Sequence, residues 1–195
     1  MLGFLKSYEN LSDEALMPYI VARKSKAFEV LYERYRVRMY RFFYRMLWQD
    51  EDIANDFLQD LFLKIIEKPQ LYNSSKPFKS WIYSVANNMC KNAYRSKRFF
   101  ETIDNQSLTT NEEAEYTLDD TYIQHILQQE IQALDESHGT CIMLRYFEEM
   151  SVKEIAQILD ISEGTVKSRL FYGVKKLEQR MKWCKNFVEL HFNEI

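Results

Sequence analysis

Residues Glu154–Leu170, EIAQILDISEGTVKSRL, hold two helical patterns separated by a residue pair that breaks their register. Just upstream, Ser151 and Glu154 form the S-x-x-E capping box that satisfies free N–H groups at a helix start, and Ile155, Ala156 and Leu159 then share one inward face. Asp160 and Ile161 make a tight turn. Ser162 can cap a second helix, on which Val166, Leu170, Val174, Leu177 and Met181 recur at steps of four, four, three and four residues. The spacing predicts helix, turn, helix, with the small Ala156 letting the two helices cross closely. The other face of the second helix carries Thr165, Lys167, Ser168, Arg169, Tyr172, Lys175 and Lys176, open to solvent or to a DNA major groove. Solvated lysines on an ordinary bundle corner satisfy the same pattern. Basic and hydroxyl groups near the helix start favour DNA, because free helix N–H groups and cations both attract phosphate.

The chain around this stretch has 195 residues, 46% of them hydrophobic and 28% charged, enough for one sizeable core or two small ones. Four glycines and three prolines argue against a turn-rich β protein, and apolar residues recur at helical spacing, so the expected fold class is all-α. Cys90, Cys141 and Cys184, like His125, His138 and His191, are widely scattered. They assemble neither a disulfide framework nor a zinc site, so the cysteines read as buried thiols and no metal or cofactor is expected. No ATP site or acid/base dyad is visible, and no catalytic residue is expected. The start, MLGFLKSYENLSDE, lacks the apolar run of a secretory signal, and nowhere do about 18 apolar residues run together. A soluble, cytoplasmic protein without membrane insertion is expected.

Charge divides the chain. Residues 1–98 carry 17 Lys/Arg against 11 Asp/Glu, residues 99–135 carry no base against 9 acids, and residues 136–195 carry 9 of each. The net charge of -3 therefore arises in the middle, where TIDNQSLTTNEEAEYTLDD (102–120) is polar and without apolar period. The predicted organisation is two small helical domains, 10–98 and 123–182, joined by a flexible acidic linker over 99–122. An amphipathic tail, 183–195, has no assigned role.

Two stretches of the first domain stand out. In DEDIANDFLQDLFLKIIEK, Asp50–Lys68, the residues Ile53, Phe57, Leu58, Leu61, Phe62, Ile65 and Ile66 make a broad apolar face, and Asp56, Gln59, Asp60 and Lys64 occupy much of the remainder. Upstream, Phe28, Leu31, Tyr35, Met39, Phe42, Phe43 and Met46 are expected core, among arginines that supply much of the positive balance. In KPFKSWIYSVANNMCKNAYRSKRFF, Lys76–Phe100, one face holds Phe78, Ile82, Val85, Ala86, Met89 and Ala93, and another holds Trp81, Ser84, Asn88, Lys91 and Arg95. An aromatic ring, neutral polar groups and cations in one stripe suit unpaired nucleic acid, whose bases stack on rings and whose phosphates meet cations. Trp81 also fits as an ordinary core tryptophan.

The segment LRYFEEMSVKEIAQILDISEGTVKSRLFYGVKKL closely resembles region four of bacterial sigma-70-type transcription factors, particularly the extracytoplasmic-function group, and D-x-x-Q-D-x-F-x-K resembles their region two. The resemblance covers about residues 10–98 and 123–182, with two motifs in the family's order. It implies a non-catalytic initiation subunit that docks on the clamp helices of core RNA polymerase, reads promoter DNA and captures its melted non-template strand. By position, docking falls to Asp56, Gln59, Asp60, Phe62 and Lys64. Capture of the minus-ten element falls to Trp81, Asn88, Lys91, Asn92 and Arg95, with Gln70–Lys79 as a loop that pockets a flipped base. Duplex contacts at the minus-thirty-five element fall to Thr165, Lys167, Ser168, Arg169, Phe171 and Tyr172, Phe171 fitting the core equally well.

Three positions depart from the family pattern: Ser84 replaces a common arginine, Asp160 a turn glycine, and Tyr172 a common basic residue. In the family the interdomain connection threads the channel that nascent RNA later occupies, which an acidic linker suits. The resemblance further implies a monomer outside the holoenzyme and control by an anti-sigma factor. A free-standing helix-turn-helix regulator, or a plain helical interaction protein, is the competing expectation. Neither needs the Asp56–Lys64 helix together with the aromatic stripe.

Overall fold

The computed structural model describes residues 8–103, 120–182 and 192, and every regular element among them is helical. This matches the all-α expectation. The chain divides into two compact units, 1–92 and 93–195. Of the predicted linker, α4 (Phe78–Ile103) and α5 (Asp120–Gln132) take in the two ends, and residues 104–119 lie outside the described residues. The tail lies outside them too, apart from Phe192. No described helix is long and apolar enough to cross a membrane.

In the first unit, α1 (Asp13–Val21), α2 (Ser25–Met46) and α3 (Glu51–Glu67) precede α4. Ser12 caps α1 by accepting the Ala15 N–H at 3.2 Å, and Asp50 caps α3 by accepting that of Ile53 at 2.9 Å. The α2–α3 turn passes through two left-handed non-glycine residues, Trp48 (φ 56°) and Gln49 (φ 59°). The α2 row Leu31, Tyr35, Met39, Phe42, Phe43 and Met46 is buried as predicted, and Phe28 alone of that set is half-buried. Each full burial of this kind contributes ~1.5–3 kcal/mol.

Polar ties then fix the helices. The Asp13 carboxylate accepts from Arg34 at 2.6 Å and from the Tyr35 hydroxyl at 2.5 Å, binding α1 to α2. Burial, and then this bond, push the Tyr35 phenol far above its ordinary value. Arg23, itself left-handed, donates to the Ile66 carbonyl at 2.7 Å and so meets an unpaired C=O at the end of α3. Glu14 does the converse for α4, its carboxylate accepting the Phe78 N–H at 2.9 Å. That bond holds the Glu14 carboxyl below its ordinary value, against the opposing effect of partial burial.

The face that α4 buries is rotated from the predicted one. Tyr83, Asn87 and Cys90 are buried beside Phe78, Ile82, Ala86 and Met89, whereas Val85 and Ala93 are only half-covered. Tyr83 meets the Phe42 ring at 5.4 Å and Phe78 meets Tyr35 at 5.4 Å, so the aromatic residues of α2 decide the rotation.

In the second unit, α5 is followed by α6 (Glu136–Ile142), a π-type turn at Met143–Phe147, α7 (Val152–Leu159) and α8 (Glu163–Arg180). Both predicted caps form: Ser151 and Glu154 bond reciprocally, and Ser162 accepts the Thr165 N–H at 3.1 Å. Asp160 ends α7 in the left-handed region (φ 55°, ψ 51°), which Asp tolerates better than most residues, so the turn forms without glycine. Ile155 and Ala156 are buried as predicted, but the third inward residue of α7 is Ile158 and Leu159 is half-exposed. The α8 row is buried throughout.

Helix α8 crosses α6 closely. A Cβ at Gly173 would lie 2.8 Å from Ile142 Cδ1 and 3.3 Å from His138 Cβ. Asp135 ties the crossing together, accepting from Ser137 at 2.8 Å, His138 at 2.5 Å and Lys176 of α8 at 2.7 Å. Partial burial pushes the Asp135 carboxyl up, but the bonds from Lys176, His138 and Ser137 outweigh it and hold it well below the usual carboxylate range. Phe192, from the tail, is buried with its ring 4.5 Å from Tyr146.

Candidate docking and nucleic-acid surfaces

Helix α3 turns Ala54, Leu61, Phe62 and Ile65 inward, and the helical period therefore turns Asp56, Gln59, Asp60 and Leu63 outward. Asp56, Gln59, Asp60 and Lys64 are all exposed. Phe62 departs from its assignment. It is only 4% exposed, with its ring 4.7 Å from Tyr32 and 6.0 Å from Phe28 of α2, and so it packs α3 in place and presents nothing outward. The apolar group on the outer face is Leu63, 49% exposed, one turn beyond Gln59 and Asp60. Sequence reasoning missed it, although its spacing from Asp56 is two turns and carried the signal. Beside this face an open groove runs between α2 and α3, lined by Tyr32, Arg36, Val37, Tyr40, Asn55 and Leu58. The surface offers polar specificity around exposed apolar anchors, the composition of a protein-docking patch.

On α4 the stripe turns away from the buried face. Asn88 and Asn92 are exposed, and Trp81, Ser84 and Lys91 are half-exposed. Arg95, on the part of α4 that belongs to the second unit, is exposed. The Trp81 ring packs 5.3 Å from Tyr72 and 5.4 Å from Phe78 and is still half-exposed. The Tyr72 hydroxyl donates to the Lys76 carbonyl at 2.8 Å and braces the loop in front of α4. Burial pushes the Tyr72 phenol above its ordinary value.

On α8, Lys167, Ser168, Phe171 and Tyr172 are exposed, and Thr165 and Arg169 are half-exposed at the edges of that face. The Thr165 hydroxyl lies 2.8 Å from that of Ser162 and is part of the cap. Phe171 is thereby on the surface and not in the core. Lys176 is held by Asp135, whereas Lys167 and Lys175 extend from exposed positions. A capped helix start, cations and hydroxyls share one outward face, the arrangement by which a helix holds phosphates and reaches base edges.

The family described as sigma-70 region 2 matches residues 31–100, and that described as sigma-70, region 4 matches residues 124–177. The ECF RNA polymerase sigma factor SigL of Mycobacterium tuberculosis is 32% identical over 163 residues, covering 80% of this chain and 89% of SigL. The ECF RNA polymerase sigma factor SigW of Bacillus subtilis is 27% identical over 171 residues, with the same coverages of 80% and 89%. Among solved structures, the sigma factor RpoE of Bartonella quintana, in complex with the anti-sigma factor NepR, is similar in fold with a TM-score of 0.64 at 20% identity. That match covers 80% of this chain and 98% of RpoE.

Proposed function

Because the chain belongs to the extracytoplasmic-function (ECF) group of the sigma-70 family of RNA polymerase sigma factors, we propose that it docks on the clamp helices of core polymerase through the outer face of α3. Asp56, Gln59, Asp60 and Lys64 give that contact its polar specificity, and Leu63 supplies the apolar anchor that Phe62, being buried, does not. Through Thr165, Lys167, Ser168, Arg169, Phe171 and Tyr172 the second unit reads the upstream promoter element as duplex. Trp81, Asn88, Lys91, Asn92 and Arg95 hold the melted non-template strand. Opening draws on binding energy alone: stacking yields ~1–3 kcal/mol per base, against a few kcal/mol to unpair and flip one.

The observation that carries this reading is the pairing, in one chain, of an exposed acidic face on α3 with an outward basic and hydroxyl face on α8. A free-standing regulator has no use for the first. The factor works in the cytoplasm as a monomer until it meets polymerase. Since RpoE was solved with an anti-sigma factor, an anti-sigma factor is the proposed controlling partner here. Gel filtration with purified core polymerase tests the docking: the chain co-elutes, and Asp60→Lys elutes alone. Co-elution undiminished by Asp60→Lys removes α3 from the contact.

A further inference from the structure

Among the described residues, two of the few large apolar side chains left exposed stand side by side on α8. Phe171 and Tyr172 are each 53% exposed, with ring centroids 5.3 Å apart and planes at 78°. The inward row of α8 is Val166, Leu170, Gly173, Val174 and Leu177, so helical spacing places Ser168, Tyr172 and Lys175 opposite it. Tyr172 therefore points away from its own unit, and the edge-on Phe171 ring restrains it. Leaving two rings in water forgoes the free energy of apolar burial, so a partner with an apolar group is called for. The exposed cations Lys167 and Lys175 flank the pair, and their charge suits a polyanion.

A duplex satisfies both demands at one place. The major groove presents a single apolar group, the C5-methyl of thymine, among donors and acceptors. A phenol lacks the guanidinium fork that reads guanine, since it has one hydroxyl where arginine has five N–H donors. We infer that Tyr172, braced by Phe171, is a specificity-determining residue that reads a thymine methyl group in the upstream promoter element. The inference rests on the reading of α8 as a duplex-contacting helix.

The test uses holoenzyme reconstituted from the full chain and core polymerase. Its preferred upstream element is selected from a randomised duplex, and each thymine of that element is then replaced by deoxyuridine, which removes the methyl and leaves the base-pairing groups intact. With the parent chain, one thymine position should lose about fourfold in affinity, the worth of one buried CH₂. Tyr172→Ala should abolish that sensitivity, Tyr172→Phe should keep it, and Tyr172→Arg should shift the preferred base there to guanine by about tenfold. The inference is overturned if no position is a fixed thymine, if deoxyuridine costs nothing anywhere, or if Tyr172→Ala remains as sensitive as the parent. Lys167→Ala separates the two levels. If it weakens binding to all these duplexes while methyl sensitivity is absent, only the methyl reading fails; if it too is without effect, α8 does not bind the duplex.

Discussion

Truncating Phe62 to alanine should destabilise the first unit and should not act as a selective docking lesion. The ring is 96% covered and lies between Tyr32 and Phe28 of α2, so its removal costs the lost transfer energy and leaves a cavity, together ~3–5 kcal/mol. For a unit of this size each kcal/mol moves the melting temperature by roughly 4–8 °C. The expected fall is at least about 12 °C. Asp60, exposed on the outer face of α3, is the contrasting site: Asp60→Lys should change stability by less than about 0.5 kcal/mol while weakening core polymerase binding tenfold or more. Thermal unfolding followed by circular dichroism, paired with titration of fluorescently labelled chain into core polymerase in the cold, reads both quantities. If Phe62→Ala melts like the parent yet loses polymerase, Phe62 is a contact residue and the packing argument is refuted. If Asp60→Lys melts as low as Phe62→Ala, the outward placement of Asp60 is refuted instead.

The Glu14 cap on α4 has a pH signature. Its folded carboxyl lies below the ordinary 4.5, so the stability it adds is present above that value and lost as pH falls through the lowered one. Urea unfolding of Glu14→Gln should differ from the parent at neutral pH and converge with it in acid; a pH-independent difference rules the linkage out. Asp135 also caps α6, its carboxylate accepting the His138 N–H at 3.3 Å, so Asp135→Ala, which removes this cap together with the tie to α8, should cost at least about 1 kcal/mol in the second unit, read by thermal melting; an unchanged melting temperature would contradict both. Asn88→Ala, exposed on α4, should leave initial promoter binding intact and reduce permanganate reactivity of thymines in the opened segment. A normal bubble would remove Asn88 from the strand-holding stripe.

Local chemistry was legible in the sequence and remote packing was not. The Ser151–Glu154 box and the Ser162 cap involve residues three apart, and the α8 row repeats at helical steps, so each announced itself. Phe62 sits in the same short motif as Asp60, and only its ring contacts with Phe28 and Tyr32, 34 and 30 positions away, tell packing from contact. The rotation of α4 depended likewise on Phe42 and Tyr35, and the cap from Glu14 to Phe78 spans 64 residues. Leu63 was overlooked although the predicted apolar face leaves it out and its two-turn spacing from Asp56 sets it among the polar residues, because an apolar side chain does not announce exposure. Phe192 lies in a tail that the periodicity of the helix-turn-helix does not reach, and its partner Tyr146 is 46 residues away.

Run-off transcription shows whether the chain itself starts transcripts. Purified chain is added to core polymerase over a library of genomic fragments, with and without Asp60→Lys and Asn88→Ala in the added chain. An initiation factor of this kind gives discrete transcripts that depend on the chain, fall away when core binding is lost through Asp60→Lys, and weaken on the same promoters with Asn88→Ala. If the chain binds fragments containing its upstream element but core polymerase starts no transcript from them, the chain reads DNA without initiating on it, and the account is wrong.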